Sequence, residues 1–192
     1  SSGTLEKQIV INNYGEGDTP LFTNSDAKKL HGNVFRIDGK HIILDGLLFS
    51  KCANSSSQDD KDVLSVGAIR TLPGADYVTI KNCKFVDCPI GVNILSQHCL
   101  VTNNMFKDCN RFLSEPDWGP LGIVIGNANN EISFNTCSNY VNIGGTFGAD
   151  GGFIELDDRY FGTKIHDVKI HHNKSFDNMG FLEIETNVEG DN

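Results

Sequence analysis

The residues from 150 to 160 read Asp-Gly-Gly-Phe-Ile-Glu-Leu-Asp-Asp-Arg-Tyr. Ile154 and Leu156 alternate with Glu155 and Asp157, which is the period of a strand with one buried face. With the apolar pair turned to a core, the two carboxylates face out. Further on, Leu182 and Ile184 alternate with Glu183 and Glu185 in the same way. Stacked strands would place Glu155 beside Glu183 and Asp157 beside Glu185. Like charges opposite one another on a sheet are destabilising. A hard divalent cation relieves the repulsion, and calcium, with six to eight oxygen ligands, is the natural choice. Asp150, Asp158, Asp177 and Asn178 stand in flanking turns and can add oxygens. Without an ion, the same pattern is a solvated acidic strand face.

A cation held there acidifies groups bound beside it, and a base must then take the proton. Lys164, Arg159, His166, His171 and His172 follow the carboxylates in the chain, with Tyr160 as an acid. Lys164 comes seven residues after Asp157, in a segment able to fold back over the strand; otherwise it is an ordinary loop lysine. His171 and His172 fall in a strand and read first as structural. Between other strands, residues 111–120 form an insertion with Arg111 and the only tryptophan, Trp118. An exposed Trp118 makes a platform for a sugar ring and Arg111 can meet a carboxylate. Alternatively, Trp118 pins the insertion to the body of the protein.

These side chains need elements that bring distant residues together, and the repeat supplies them. The segments 42–52, 78–88 and 99–109 align without gaps as an alternating apolar strand, then Asn or Gly, then Phe-x-x-Cys. A looser copy runs from Val168 to Met179, and a weaker one lies around 131–141. Asn82 and Asn103 are 21 residues apart, about one short coil. A second strand series starts at Gly91, Gly122, Gly152 and Gly180, at intervals of 31, 30 and 28 residues. One such coil cannot bury its apolar face alone, but coils stacked about 4.8 Å apart share a continuous core. The pattern predicts an all-β, right-handed parallel β-helix of about six to seven coils, a single domain over 1–192. Asn82 and Asn103 are expected to begin an asparagine ladder. Phe49, Phe85, Phe106 and Phe176 form an aromatic column, and Cys52, Cys88 and Cys109 a thiol column with Met179 above it. Buried cysteines act as small apolar groups, so most are expected as free thiols, although stacked neighbours lie within disulfide range. A β-sandwich also has many short strands, but it does not repeat Phe-x-x-Cys in phase.

The stretch from Gln8 to Phe22, followed by Val34–Gly39 and His41–Phe49, resembles the early coils of pectate-lyase-like β-helix proteins. The resemblance covers most of the chain. It implies the fold strongly and an activity weakly, since that superfamily holds lyases, hydrolases, epimerases and adhesins. It implies a polysaccharide lyase that cleaves an acidic, uronate-containing glycan by calcium-assisted β-elimination, with a non-catalytic carbohydrate-binding or structural module as the alternative. The acidic turns around Asp150 and Asp177 are similar to those of a calcium-dependent group, with Asn178 standing where that group has an aspartate. The catalytic lysine of the group falls in a later coil. The Asp-Pro-His of alginate epimerases is missing, as is the Asn-Thr-Asp with a later Arg-Ile-Lys of polygalacturonases. Members carry more chain on both sides, so a fragment, or a partner covering the ends, is expected.

The bulk composition agrees. Sixteen basic and 25 acidic residues give a net charge of −9, which repels nucleic acid and anionic membranes. No apolar stretch approaches the roughly 20 residues of a membrane helix. Six cysteines include no Cys-x-x-Cys pair, which disfavours a zinc site. The glycan substrate points to a secreted or periplasmic protein whose leader has been removed.

Overall fold

The computed structural model describes residues 1–24, 33–52, 67–110, 119–141, 151–158 and 164–185. Their strands fall into six coils of three. The first coil is β1 (Ile9–Asn12), β2 (Leu21–Phe22) and β3 (Phe35–Ile37), and the second is β4 (Ile42–Asp45), β5 (Leu48–Ser50) and β6 (Ile69–Thr71). The third is β7 (Thr79–Lys81), β8 (Lys84–Val86) and β9 (Ile90–Ile94), and the fourth β10 (Leu100–Thr102), β11 (Met105–Cys109) and β12 (Leu121–Ile125). The fifth is β13 (Glu131–Ser133), β14 (Thr136–Tyr140) and β15 (Gly152–Asp157), and the sixth β16 (Lys169–His171), β17 (Lys174–Phe176) and β18 (Leu182–Glu185). The first strands of the coils pair in parallel as one six-stranded sheet, A; the second strands form sheet B and the third strands sheet C. This is the parallel β-helix expected from the repeat, with no helix among the described residues.

The corners explain why such short strands suffice. Sheets A and B are joined from the second coil on by two residues, the first with positive φ: Gly46, Asn82, Asn103, Phe134 and His172. A second positive-φ column, Lys51, Asp87, Asp108, Asn139 and Asp177, turns the chain out of sheet B, and a third, His41, Tyr77, His98, Asn129 and Asp167, turns it into sheet A. A left-handed residue at each corner bends the chain sharply between strands; only Gly, Asn and Asp adopt it readily, and the aromatic residues found there stack on one another. His41, Tyr77 and His98 do stack, at 4.8 and 4.9 Å between ring centroids. The link from sheet B to sheet C varies most in length. It is shortest, residues 87–89, in the third coil, which accounts for the 21-residue step.

The core is a set of vertical columns. Ile11, Leu44, Ile80, Val101, Ile132 and Ile170 stand level in sheet A. In sheet B, Phe22, Phe49, Phe85 and Phe106 stack at 5.5, 4.9 and 4.7 Å. The next members of that column are Cys137 and Ser175, not Phe176, which pairs with Ser138 and is exposed. The neighbouring column of Cys52, Cys88 and Cys109 continues with Tyr140, which pairs with Cys109, and then Asn178 in the place expected for Met179. The Tyr140 hydroxyl donates to the Cys88 carbonyl at 2.9 Å. All six cysteines are free thiols, and all are buried.

The asparagine ladder exists one residue along from its expected place. Asn82 and Asn103 are corner residues with exposed side chains. The rungs are Asn104 and Asn135, both buried, and Asn173, half-buried in the last coil. Each side chain donates to a sheet A carbonyl of the coil below, Ile80, Val101 and Ile132, at 2.8–2.9 Å. Each accepts a backbone N–H from below, those of Cys83, Asn104 and Asn135, at 2.9 Å. These bonds satisfy groups that the corner removes from the sheet ladder.

The glycine series slips once. Gly91 and Gly122 stand level, but Gly122 lies beside Phe153, while Gly152 lies beside Leu121. A Cβ on Gly91 would meet the Phe106 ring at 2.6 Å. Phe153 then packs on Phe106 at 5.9 Å, in the space those glycines leave.

Candidate functional site

The slip leaves the alternation in β15 intact from Ile154 onward. Ile154, with Ile123 and Val92 beneath it, faces the core, so Glu155 and Asp157 take the outer face of sheet C. Glu155 is level with Glu183 and Asp157 with Glu185, as the stacking of the two acidic segments requires. Both outer positions of β15 are nevertheless screened from solvent, contrary to a solvated strand face: Glu155 is 6% and Asp157 0% exposed. Glu183 and Glu185 are half-buried.

Glu155, Asp157 and Glu185 each bring a carboxylate oxygen to within 4.8 Å of the others. Glu183, although level with Glu155, is outside that group. Two oxygens on one calcium ion can be no further apart than twice the 2.3–2.6 Å ligand distance, about 5 Å. The three oxygens meet that limit, and all are hard donors. The site therefore fits calcium, with Glu155, Asp157 and Glu185 as the residues that would hold it. Burying two carboxylates is costly unless a positive charge accompanies them.

The other candidates fall into two groups. Asp150, Arg159, Tyr160, Arg111 and Trp118 lie outside the described residues. Asp177 is a positive-φ corner residue after β17 and takes no part in the three-carboxylate group. Asn178, another candidate ligand, spends its side chain on the fold: its oxygen accepts the Tyr140 N–H at 2.8 Å, and its nitrogen donates to the Cys137 carbonyl at 3.0 Å and the Ser175 hydroxyl at 2.8 Å. Asp158 continues β15 and its N–H reaches the Glu185 carbonyl at 3.4 Å. Lys164 is exposed on the way into sheet A. His166 is exposed as well, with Nδ1 2.7 Å from the Asp167 carboxylate and its carbonyl bound by the Asn129 N–H.

The sequence reading missed the other end of this face. The outward column containing Glu155 and Glu183 runs, from the first coil, Arg36, Arg70, Asn93, Val124, Glu155, Glu183. Its first two members are cationic and its last two anionic. Arg70 and Glu155 are three coil steps apart, about 14 Å. The signal was present in the strands Phe-Arg-Ile and Ile-Arg-Thr, where the arginine takes the outward phase. A cleft of about 190 Å³ lies beside the acidic end, lined by Gly151, Phe153, Ile154, Met179, Gly180, Leu182 and Glu183. Phe153, Ile154 and Leu182 belong to core columns, so the cleft opens onto the last coil of the core. Leu182 and Ile184 are left 41% and 61% exposed there.

No family model matches the chain, and searches of curated proteins and of solved structures find no similar protein.

Proposed function

We propose that this chain is a pectate-lyase-like polysaccharide lyase, or the calcium-holding part of one, acting on an acidic, uronate-containing glycan by β-elimination. The observation that carries the reading is the group of three carboxylates on the outer face of one sheet of a β-helix, two of them buried. Bound calcium would neutralise the substrate carboxylate, acidify the adjacent C–H and stabilise the enolate-like transition state. Glu155, Asp157 and Glu185 would hold that charge, their spacing set by sheet C. Lys164 and Arg159 are the candidates to take the proton, with Tyr160 to protonate the departing sugar. His166 is a further base candidate, since Asp167 engages Nδ1 and leaves Nε2 to accept. Arg36 and Arg70 add positive charge to the same face, suited to further uronates.

The outward column with Arg36 and Arg70 at one end and the carboxylates at the other also suits a second reading: a calcium-bearing module that binds acidic glycan without cleaving it. Incubation with pectate, alginate and glycosaminoglycans, with calcium and with chelator, separates the two. The lyase reading expects a calcium-dependent unsaturated product from one of them, lost in Glu155→Ala. Binding without product, unaffected by Lys164→Ala, selects the module. Neither binding nor product on any of these polymers overturns both.

A further inference from the structure

His171 and His172 form a feature that has no part in the acidic site. They end β16 on sheet A, one at the strand's last position and one at the positive-φ corner. Neighbouring side chains in a strand normally point to opposite faces. The left-handed corner at His172 (φ 56°) breaks that rule and turns the second imidazole back toward the first. Their Nδ1 atoms lie 2.8 Å apart, with the ring planes at 87°.

Three contacts hold this arrangement. The Glu131 carboxylate, one coil below, sits 3.3 Å from His171 Nε2. From there it can hold a proton on Nε2, the tautomer in which Nδ1 carries the lone pair. Phe134, the corner residue beneath, stacks on His172 at 4.8 Å and 16° and meets His171 edge-on at 5.8 Å. Asn173, the next residue, is locked into the ladder through Asn135 and Ile132. The pair is half-buried to exposed, so water can complete a coordination sphere.

We propose that His171 and His172 chelate a borderline transition cation, of the Ni²⁺ or Cu²⁺ kind, through their two Nδ1 atoms. With metal–nitrogen distances of about 2.0–2.1 Å, two ligands at a right angle lie about 2.9 Å apart, against about 3.4 Å for a tetrahedral pair. The observed 2.8 Å fits the right-angled geometry. Glu131 is then the carboxylate behind a ligating imidazole, an arrangement that fixes the tautomer and raises ligand basicity. Nitrogen donors with open positions select against calcium, so this site and the carboxylate site take different ions.

Equilibrium dialysis with Ni²⁺, which does not oxidise the six free thiols, tests the assignment. The expected result is one tightly held Ni²⁺ per chain that a large excess of Ca²⁺ fails to displace. His172→Asn, chosen because Asn accepts a positive φ, and His171→Ala each weaken binding at least tenfold. Glu131→Gln weakens it about 10- to 100-fold through the lost partner of His171. Far-UV circular dichroism checks that each variant keeps the β-helix. No stoichiometric Ni²⁺, or the same Ni²⁺ affinity in folded His172→Asn and His171→Ala, overturns the proposal and leaves the pair as a hydrogen bond alone.

Discussion

Replacing Asn104 by alanine removes one rung of the buried ladder, and the cost can be worked from its bonds. The side chain is 3% exposed and makes three hydrogen bonds. It accepts the Cys83 N–H at 2.9 Å, donates to the Ile80 carbonyl at 2.9 Å and donates to the Asn135 side-chain oxygen at 3.0 Å. A satisfied hydrogen bond contributes about 0.5–1.5 kcal/mol net, and a buried donor left without a partner costs about 1–3 kcal/mol. The Cys83 N–H is left in that state, because water does not reach a residue 1% exposed. The expected loss is about 2–4 kcal/mol, or about 4–16 °C in Tm for a chain of this size. The control is the adjacent residue. Asn103 makes one long bond, 3.4 Å to the Thr102 hydroxyl, and its φ of 55° suits glycine. Asn103→Gly should change stability by no more than about 0.5 kcal/mol. Urea titrations of both variants, followed by far-UV circular dichroism, decide the matter. Equal losses, or a larger one for Asn103→Gly, would refute the placement of the ladder and the hydrogen-bond argument with it.

Calcium at 100 times its dissociation constant should stabilise the protein by about 2.7 kcal/mol, seen as a rise of about 5–10 °C in a calorimetric scan. Chelator should reverse the rise, and Asp157→Asn or Glu185→Gln should abolish it; a rise that survives Asp157→Asn places the ion elsewhere. The thiols should ignore a disulfide reagent at pH 8 and all react once denaturant unfolds the chain; rapid labelling of the native protein contradicts their burial. Burial pushes the Cys83 and Cys99 thiols up to about 11. Their contribution to stability is whole below the unfolded thiol value, about 8.5, and is lost as pH climbs through about 11, so denaturation midpoints should fall over that alkaline window and return on acidification. Gly91→Ala should cost about 1–3 kcal/mol, because its Cβ would press on the Phe106 ring at 2.6 Å; an unchanged urea midpoint would show that the core yields there.

Residue type carried the register as far as packing preserved it column by column. Phe49, Phe85 and Phe106 could be aligned from the sequence because each coil repeats a large side chain followed three positions later by a thiol. The fifth coil trades the two sizes: Cys137 takes the aromatic place, and Tyr140 takes the thiol place and reaches back to the Cys88 carbonyl. A close-packed layer conserves volume across neighbouring columns, not the identity of each. A pattern matched by identity therefore drifts at that coil, and Phe176 and Met179 were assigned to columns held by Ser175 and Asn178. The ladder was misplaced for a related reason. Asn-Asn at 103–104 satisfies two demands that asparagine meets equally well, a left-handed corner and a buried amide, and composition does not tell which residue meets which. The acidic group was legible because the one-residue slip falls between β12 and β15, before both acidic strands: the same count that aligns Ile154 with Leu182 aligns Glu155 with Glu183. Its burial was not legible, since parity fixes which face a residue takes and not what covers that face. That burial changes the argument for an ion. An exposed pair of stacked carboxylates is relieved by water and salt, whereas Glu155 and Asp157, screened from both, depend on partners supplied by the fold or by a bound cation.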